Sequence, residues 1–178
     1  MSLDALKDKI PDYAKDIKLN LSSLTGDETL SKQQLWGTLL AAALASRNDE
    51  VIAGIGAEAA ANLSPEAQNA AKAANALMAM NNIYYKFISM MKSADYAGMP
   101  AKLRMNFMAN PGVDKADFEL WALAVSVING CAGCVKSHEK GLSDLGVSRE
   151  QIQTTIRIAA VVHATASALG GEKVLSSL

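Results

Sequence analysis

Cys131, Cys134 and His138 stand at i, i+3 and i+7 in this sequence. At 3.6 residues per turn that spacing predicts all three on one face of a helix. Gly130 reads as a helix stop, so Cys131 falls at the start of a new helix. Unsatisfied N–H groups and the positive end of the helix dipole favour a thiolate there, and Cys-X-X-Cys pairs at such positions have lowered thiol pKa values. His138, one turn beyond Cys134, is placed to accept its proton, which puts a nucleophile and a base on one helix. Glu119 completes the set. It is the only charged residue between Asp117 and Lys136, and its neighbours Phe118, Leu120, Trp121, Leu123 and Val125 are apolar. Its helix should therefore be buried. A buried carboxylate needs a partner, and orienting His138 or relaying its protons supplies one.

Other chemistries compete for the same residues. Cys131, Cys134 and His138, with His163 or Glu119 as a fourth ligand, would make a zinc site, although no second CxxC exists and the spacing fits no common finger. Val135 follows Cys134, which excludes a c-type haem attachment, and a thioredoxin module needs a βαβ context that is absent. A purely structural disulfide would close a tiny loop and stabilise little. His138 alone reads as an ordinary histidine, and Glu119 alone as a favourable acid early in its helix. His163, in the apolar run 159–164, is expected to be a hydrogen-bonded core histidine. Trp36, Trp121, Met78, Met80, Met90, Met91, Tyr84 and Tyr85 read as core or subunit contact.

The elements that must hold these groups are helices, and the chain reads as all-α. Alanine is the most frequent residue; it has the best helix propensity and lets helices approach closely. No segment alternates with the period of a strand. Ser2 is predicted to cap a short helix ended by Pro11, and Pro11 to open a second helix to about Leu21, with a loop over 22–28. Ser31-x-x-Gln34 is a capping-box pattern for a helix to about Arg47. A helix over about 48–62 follows, and Ser64-Pro65-Glu66 opens a long one to about Met91. Next come a loop over 93–99, a short helix over 100–109 and a turn at Asn110-Pro111-Gly112. Asp114 caps a helix to about Asn129, the helix from Cys131 ends at Gly146, and Ser148-x-x-Gln151 caps a last helix reaching Gly170-Gly171.

A degenerate internal two-fold helical repeat runs through this order. Gln34-Leu35-Trp36 and Glu119-Leu120-Trp121 each lead into a helix, a second helix and a serine cap, Ser64 or Ser148. On that register Gln34 stands where Glu119 stands, Ser46 and Asp49 where Cys131 and Cys134 stand, and Ala53 where His138 stands. Only the second copy carries chemistry. The general likeness of Ala-rich helices is the competing explanation.

Length and charge bound the rest. A chain of 178 residues is about one domain, taken as 1–178, and can bury a sizeable core. With 17 Lys+Arg against 18 Asp+Glu it lacks the basic excess of a nucleic-acid backbone reader, or of a protein held on an anionic membrane. No apolar stretch approaches the ~20 residues of a membrane span. Asp and Lys are interspersed through residues 1–20, so no signal-peptide core is expected. The expected location is the cytoplasm, where a close cysteine pair points to redox or metal chemistry.

Glu119, the Cys131–Cys134 CxxC and His138, with Trp121, Asn129 and Gly130 between them, resemble the alkylhydroperoxidase D family within the carboxymuconolactone decarboxylase-like superfamily. The likeness extends to Ile10 to Leu21, Gln34 through Trp36 to Thr38, Met80 to Ile83 and Ala109 to Gly112, and so covers nearly the whole chain. It implies an all-α subunit that forms a homotrimer and binds no cofactor. It implies that Cys134 is the peroxidatic cysteine, passing through a sulfenic acid, and that Cys131 is the resolving cysteine and proton donor. Glu119 and His138 match the family's proton relay, linked through a water. Some relatives carry a histidine inside the CxxC where this chain has Gly133. The resemblance also implies dihydrolipoamide as reducing cosubstrate, carried by a lipoyl-bearing acyltransferase and restored by dihydrolipoamide dehydrogenase. A partner peroxiredoxin of the alkyl hydroperoxide reductase C type is implied as well. The expected activity is that of an antioxidant thiol peroxidase, which reduces organic hydroperoxides and hydrogen peroxide through a dithiol/disulfide cycle. Two other classes stay open: a decarboxylase of the same superfamily, which needs no dithiol, and a redox-switch or metal-binding module without turnover.

Overall fold

The computed structural model describes residues 1–91 and 94–178, and among them every regular element is helical. The helices are α1 (Leu3–Asp8), α2 (Lys15–Thr25), α3 (Lys32–Ser46), α4 (Asp49–Asn62), α5 (Pro65–Met90), α6 (Ala94–Gly98), α7 (Lys115–Ile128), α8 (Ala132–Asp144) and α9 (Arg149–Leu175), with short 3₁₀ turns at Asp12–Ala14 and Asn106–Ala109.

Side-chain caps set most of the starts. The Ser2 hydroxyl accepts from the Ala5 N–H, and Ser31 and Ser148 close full capping boxes with Gln34 and Gln151. Ser64 caps α5 with Pro65 in the first turn, and Asp114 caps α7. Each such cap satisfies an N–H that the helix cannot, which contributes about 1 kcal/mol. Gly130 and Gly146, with φ of 66° and 78°, terminate α7 and α8 in the left-handed region that glycine adopts freely.

Two central helices organise the core. α3 packs against α4, α5, α7 and α9, while α7 packs against α3, α5, α8 and α9. The α3–α7 crossing depends on a small residue opposite a large one. A Cβ at Gly37 would lie 2.1 Å from the Trp121 ring, so only glycine lets the fully buried indole seat there. The indole Nε1 donates to the Gln34 carbonyl at 3.3 Å. α5 adds a buried alanine row, Ala67, Ala70, Ala71 and Ala74. α7 is thereby fixed, and with it Glu119 and the entry to α8.

Several sequence-based expectations need correction. Pro11 precedes the 3₁₀ turn Asp12–Ala14 rather than opening α2, and α2 runs to Thr25, past Leu21, because buried Leu24 ties its last turn to the core. Of the expected loop 93–99, Ser93 lies outside the described residues, and Ala94–Gly98 is a helical turn. The segment expected as a helix over 100–109 keeps only the 3₁₀ turn, and Lys102, at φ 52°, breaks the helical path before it. α9 continues through Gly170 and Gly171 to Leu175, so two residues that cost ~1 kcal/mol each against alanine do not end it. His163 is exposed, not a core residue. It shares a solvent-facing row with Ala160, Ser167 and Gly171, opposite buried Ile158, Val162, Thr165 and Leu169. Of the residues read as core or subunit contact, Met78 is core, and Tyr85, Met90 and Met91 are exposed on the single chain, which that reading allows.

The caps offer a second register for comparing the two helix pairs. Ser31 and Asp114 open α3 and α7, left-handed Arg47 and Gly130 close them, and Asn48 and Cys131 cap α4 and α8. This register is two residues off the one that pairs the tryptophans. Counted from the N-caps, Asn48, Val51 and Ile55 stand along α4 as Cys131, Cys134 and His138 stand along α8.

Candidate active site

The turn between α7 and α8 delivers the first cysteine. The Gly130 N–H bonds the Val127 carbonyl at 3.0 Å and the Cys131 N–H bonds the Ser126 carbonyl at 3.1 Å. With Gly130 left-handed, this is the Schellman closure of a helix. Cys131 is then the N-cap of α8, and its sulfur accepts from the Cys134 N–H at 3.3 Å, the place a serine hydroxyl takes elsewhere in this chain. α5 clamps the turn from the side. Asn82 donates to the Ser126 hydroxyl at 2.9 Å and accepts from Asn129 Nδ2 at 2.9 Å, and Lys86 Nζ donates to the Asn129 carbonyl at 3.2 Å. A cation on the last carbonyls of α7 also opposes the negative end of that helix dipole. The sequence reading missed Asn82, Ser126 and Lys86, because their roles arise only when α5 lies beside α7.

Cys131 and Cys134 are joined as a disulfide with Cα atoms 5.3 Å apart, within the usual span for such a bond. Cys131, Cys134, His138 and Leu142 form the buried row of α8, as the i, i+3, i+7 spacing predicts. Cys131 is 0% exposed and Cys134 is 7% exposed. The difference has a direction. Cys134, with Gly133, borders a cavity of about 460 Å³ walled by Met78, Asn81, Tyr85 and Ile88 of α5, Met105 and Met108, and Ser137 and His138 of α8; Cys131 does not border it. A Cβ at Gly133 would meet only Ser89 Cβ at 3.8 Å, ordinary contact, so nothing crowds that edge of the cavity.

Glu119 reaches across from α7 to His138, its Oε2 2.7 Å from Nδ1. The carboxylate touches the ring directly rather than through a water. An ionised carboxylate only accepts, so Nδ1–H donates to it, which leaves Nε2 as the basic nitrogen of the neutral ring. Nε2 lies 3.2 Å from the Met78 sulfur at the cavity wall. On its other side His138 borders a second cavity of about 330 Å³ that also touches Glu119, Lys115 and Asp144. The pair thus stands between an apolar space holding the sulfur and a polar space holding charged groups. This can orient a base at a thiol and move its proton away. Asp117, two residues before Glu119, is buried and accepts from Gln33 Nε2 at 2.7 Å, a structural pairing away from the ring. His163 faces solvent on α9 and stands apart from this group.

The profile of the Carboxymuconolactone decarboxylase family matches residues 94–176, the part that carries α6, α7, α8 and α9. Over 166 residues the chain is 60% identical to the alkyl hydroperoxide reductase AhpD of Rhodopseudomonas palustris strain BisA53, covering 93% of this chain and 92% of that one. It is 59% identical over 175 residues to the AhpD of Gluconacetobacter diazotrophicus, covering 98% and 96%. With the AhpD of Streptomyces coelicolor it shares 55% identity over 177 residues, 99% of each chain.

Proposed function

The chain belongs to the AhpD family of alkyl hydroperoxide reductases, and we propose that it reduces hydroperoxides with Cys134 as the attacking sulfur and Cys131 as the resolving one. The observation that carries this assignment is that Cys134 borders the cavity while Cys131 lies behind it. Glu119 holds His138 with Nε2 as the base, and His138 takes the Cys134 proton. The thiolate attacks the terminal peroxide oxygen and becomes a sulfenic acid, while the other oxygen leaves as an alcohol, or as water from hydrogen peroxide. The Cys131 thiol then condenses with the sulfenic acid, water leaves, and the disulfide forms. A dithiol reopens it by exchange.

Dihydrolipoamide on a lipoyl-bearing acyltransferase, restored by dihydrolipoamide dehydrogenase, is the proposed reductant, and a peroxiredoxin of the alkyl hydroperoxide reductase C type the proposed electron acceptor beside peroxide itself. The apolar cavity suits a lipoyl chain as well as an alkyl hydroperoxide. A homotrimer is proposed as the working form. Its support is the run of exposed apolar side chains Ile83, Tyr85, Phe87 and Met90 on α5, with Tyr96, Met99 and Phe107 after it, a grouping typical of interaction surfaces. Among the described residues no helix is long and apolar enough to cross a membrane, and the cytoplasm is the proposed location. The test mixes reduced protein with one equivalent of tert-butyl hydroperoxide. Loss of both thiols per peroxide, reversed by dihydrolipoamide, is expected; free thiols beside intact peroxide would overturn the reading.

A further inference from the structure

Asn81 is the polar side chain of the cavity that the reaction above leaves unused. It is 5% exposed on α5 and shares the cavity wall with Cys134 and His138. Its Oδ1 has no hydrogen-bond partner, and its Nδ2 reaches only the Met108 sulfur at 3.9 Å, a weak acceptor. Its neighbour Asn82 is the contrast: equally buried, it both donates and accepts at 2.9 Å. The other polar groups on the wall differ too. Tyr85, Ser89 and Ser137 are exposed, and His138 is engaged by Glu119. An orphaned carboxamide oxygen is costly in a protein interior and calls for a ligand that satisfies it.

We propose that Asn81 holds the hydroperoxide group against Cys134, its Oδ1 accepting from the terminal O–H and its Nδ2 donating to the oxygen that carries the alkyl group. This inference rests on the peroxidase reading above. The Cys134 thiolate attacks the terminal oxygen, and an S–O bond forms as the O–O bond breaks. The electron pair of the broken bond goes to the alkyl-bearing oxygen, which takes a proton from His138 and leaves as the alcohol. The sulfur is oxidised to the sulfenic acid and the peroxide is reduced. Asn81 Nδ2 donates where negative charge develops, and Oδ1 keeps the terminal oxygen in line with the sulfur. The methionines around it supply the apolar surface for the alkyl part, so the site takes a molecule with one hydroperoxide head and an apolar body.

The test uses Asn81→Leu, close in volume, and Asn81→Ser, smaller and safer for folding. In each reduced protein two rates are measured: thiol loss to tert-butyl hydroperoxide, and alkylation of Cys134 by iodoacetamide, which needs no hydroperoxide anchor. The peroxide rate is expected to fall about tenfold to a hundredfold in both variants, with the iodoacetamide rate at its wild-type value. Should Asn81→Leu fail to fold, the ratio of the two rates in Asn81→Ser decides. Unchanged peroxide rates, or peroxide and iodoacetamide rates that fall together, would overturn the inference and make Asn81 a packing residue. A wild-type protein that leaves peroxide intact would instead overturn the peroxidase reading itself.

Discussion

At the α3–α4 junction, left-handed Arg47 closes one helix and Asn48 caps the next; at the α7–α8 junction, Gly130 and Cys131 hold the same two places. The first junction is purely structural. Asn48 accepts from the Glu50 and Val51 N–H groups and donates to the Ala166 carbonyl of α9 at 3.1 Å. Val51 and Ile55, one and two turns on, are 0% and 1% exposed in the core. The second junction puts a sulfur at the cap, where it is a weak acceptor but a thiolate is favoured. It places Cys134 and His138 where the first has Val51 and Ile55, and there the wall opposite stands off to leave the cavity. The two junctions therefore differ in what the second helix turns its buried row toward, the core after Asn48 and the cavity after Cys131.

Substitutions at the two junctions should separate those uses. The largest effect is expected from Cys134→Ser, which should abolish peroxide turnover, while Val51→Ala at the matching place should lower stability and leave the rate per folded molecule intact. Steady-state peroxide consumption beside thermal unfolding reads both. Gly37→Ala should destabilise by about 3 kcal/mol, because the new methyl meets a buried indole that cannot turn aside. Gly133→Ala, whose new methyl meets only Ser89 Cβ at 3.8 Å, should be close to neutral, and a denaturant titration of both variants reads the difference. Glu119→Gln should slow thiol loss to peroxide about a hundredfold, ~2.7 kcal/mol of barrier, with little change in unfolding midpoint. Gln34→Ala removes a capping-box partner and should do the reverse. A smaller loss is expected at Asn48→Ala, about 1 kcal/mol of stability with normal turnover, as for a lost N-cap.

What the sequence revealed was mostly local. Ser31, Ser64, Asp114 and Ser148 announce helix starts because a cap is satisfied within three residues of itself, and Gly130 and Gly146 announce stops because few other residues take positive φ easily. The buried row of Cys131, Cys134 and His138 follows from helical period alone. Glu119 was legible because one acid stood among apolar neighbours. Tertiary features were not. Lys102 takes a left-handed backbone that no propensity marks, so the segment over 100–109 was read as helix. His163 has apolar neighbours in sequence, yet its face of α9 is turned outward. Asn81, Met78 and Met105 come to the cysteines only through the packing of α5 and the segment before α7.

The central claim is that the peroxide meets Cys134 and not Cys131. The most direct measurement treats reduced Cys131→Ser and Cys134→Ser proteins with tert-butyl hydroperoxide in the presence of dimedone, and locates the adduct by peptide mass spectrometry. The account predicts a dimedone adduct on Cys134 in Cys131→Ser and none on Cys131 in Cys134→Ser. An adduct on Cys131 in Cys134→Ser, with Cys134 left as a free thiol in Cys131→Ser, would contradict it.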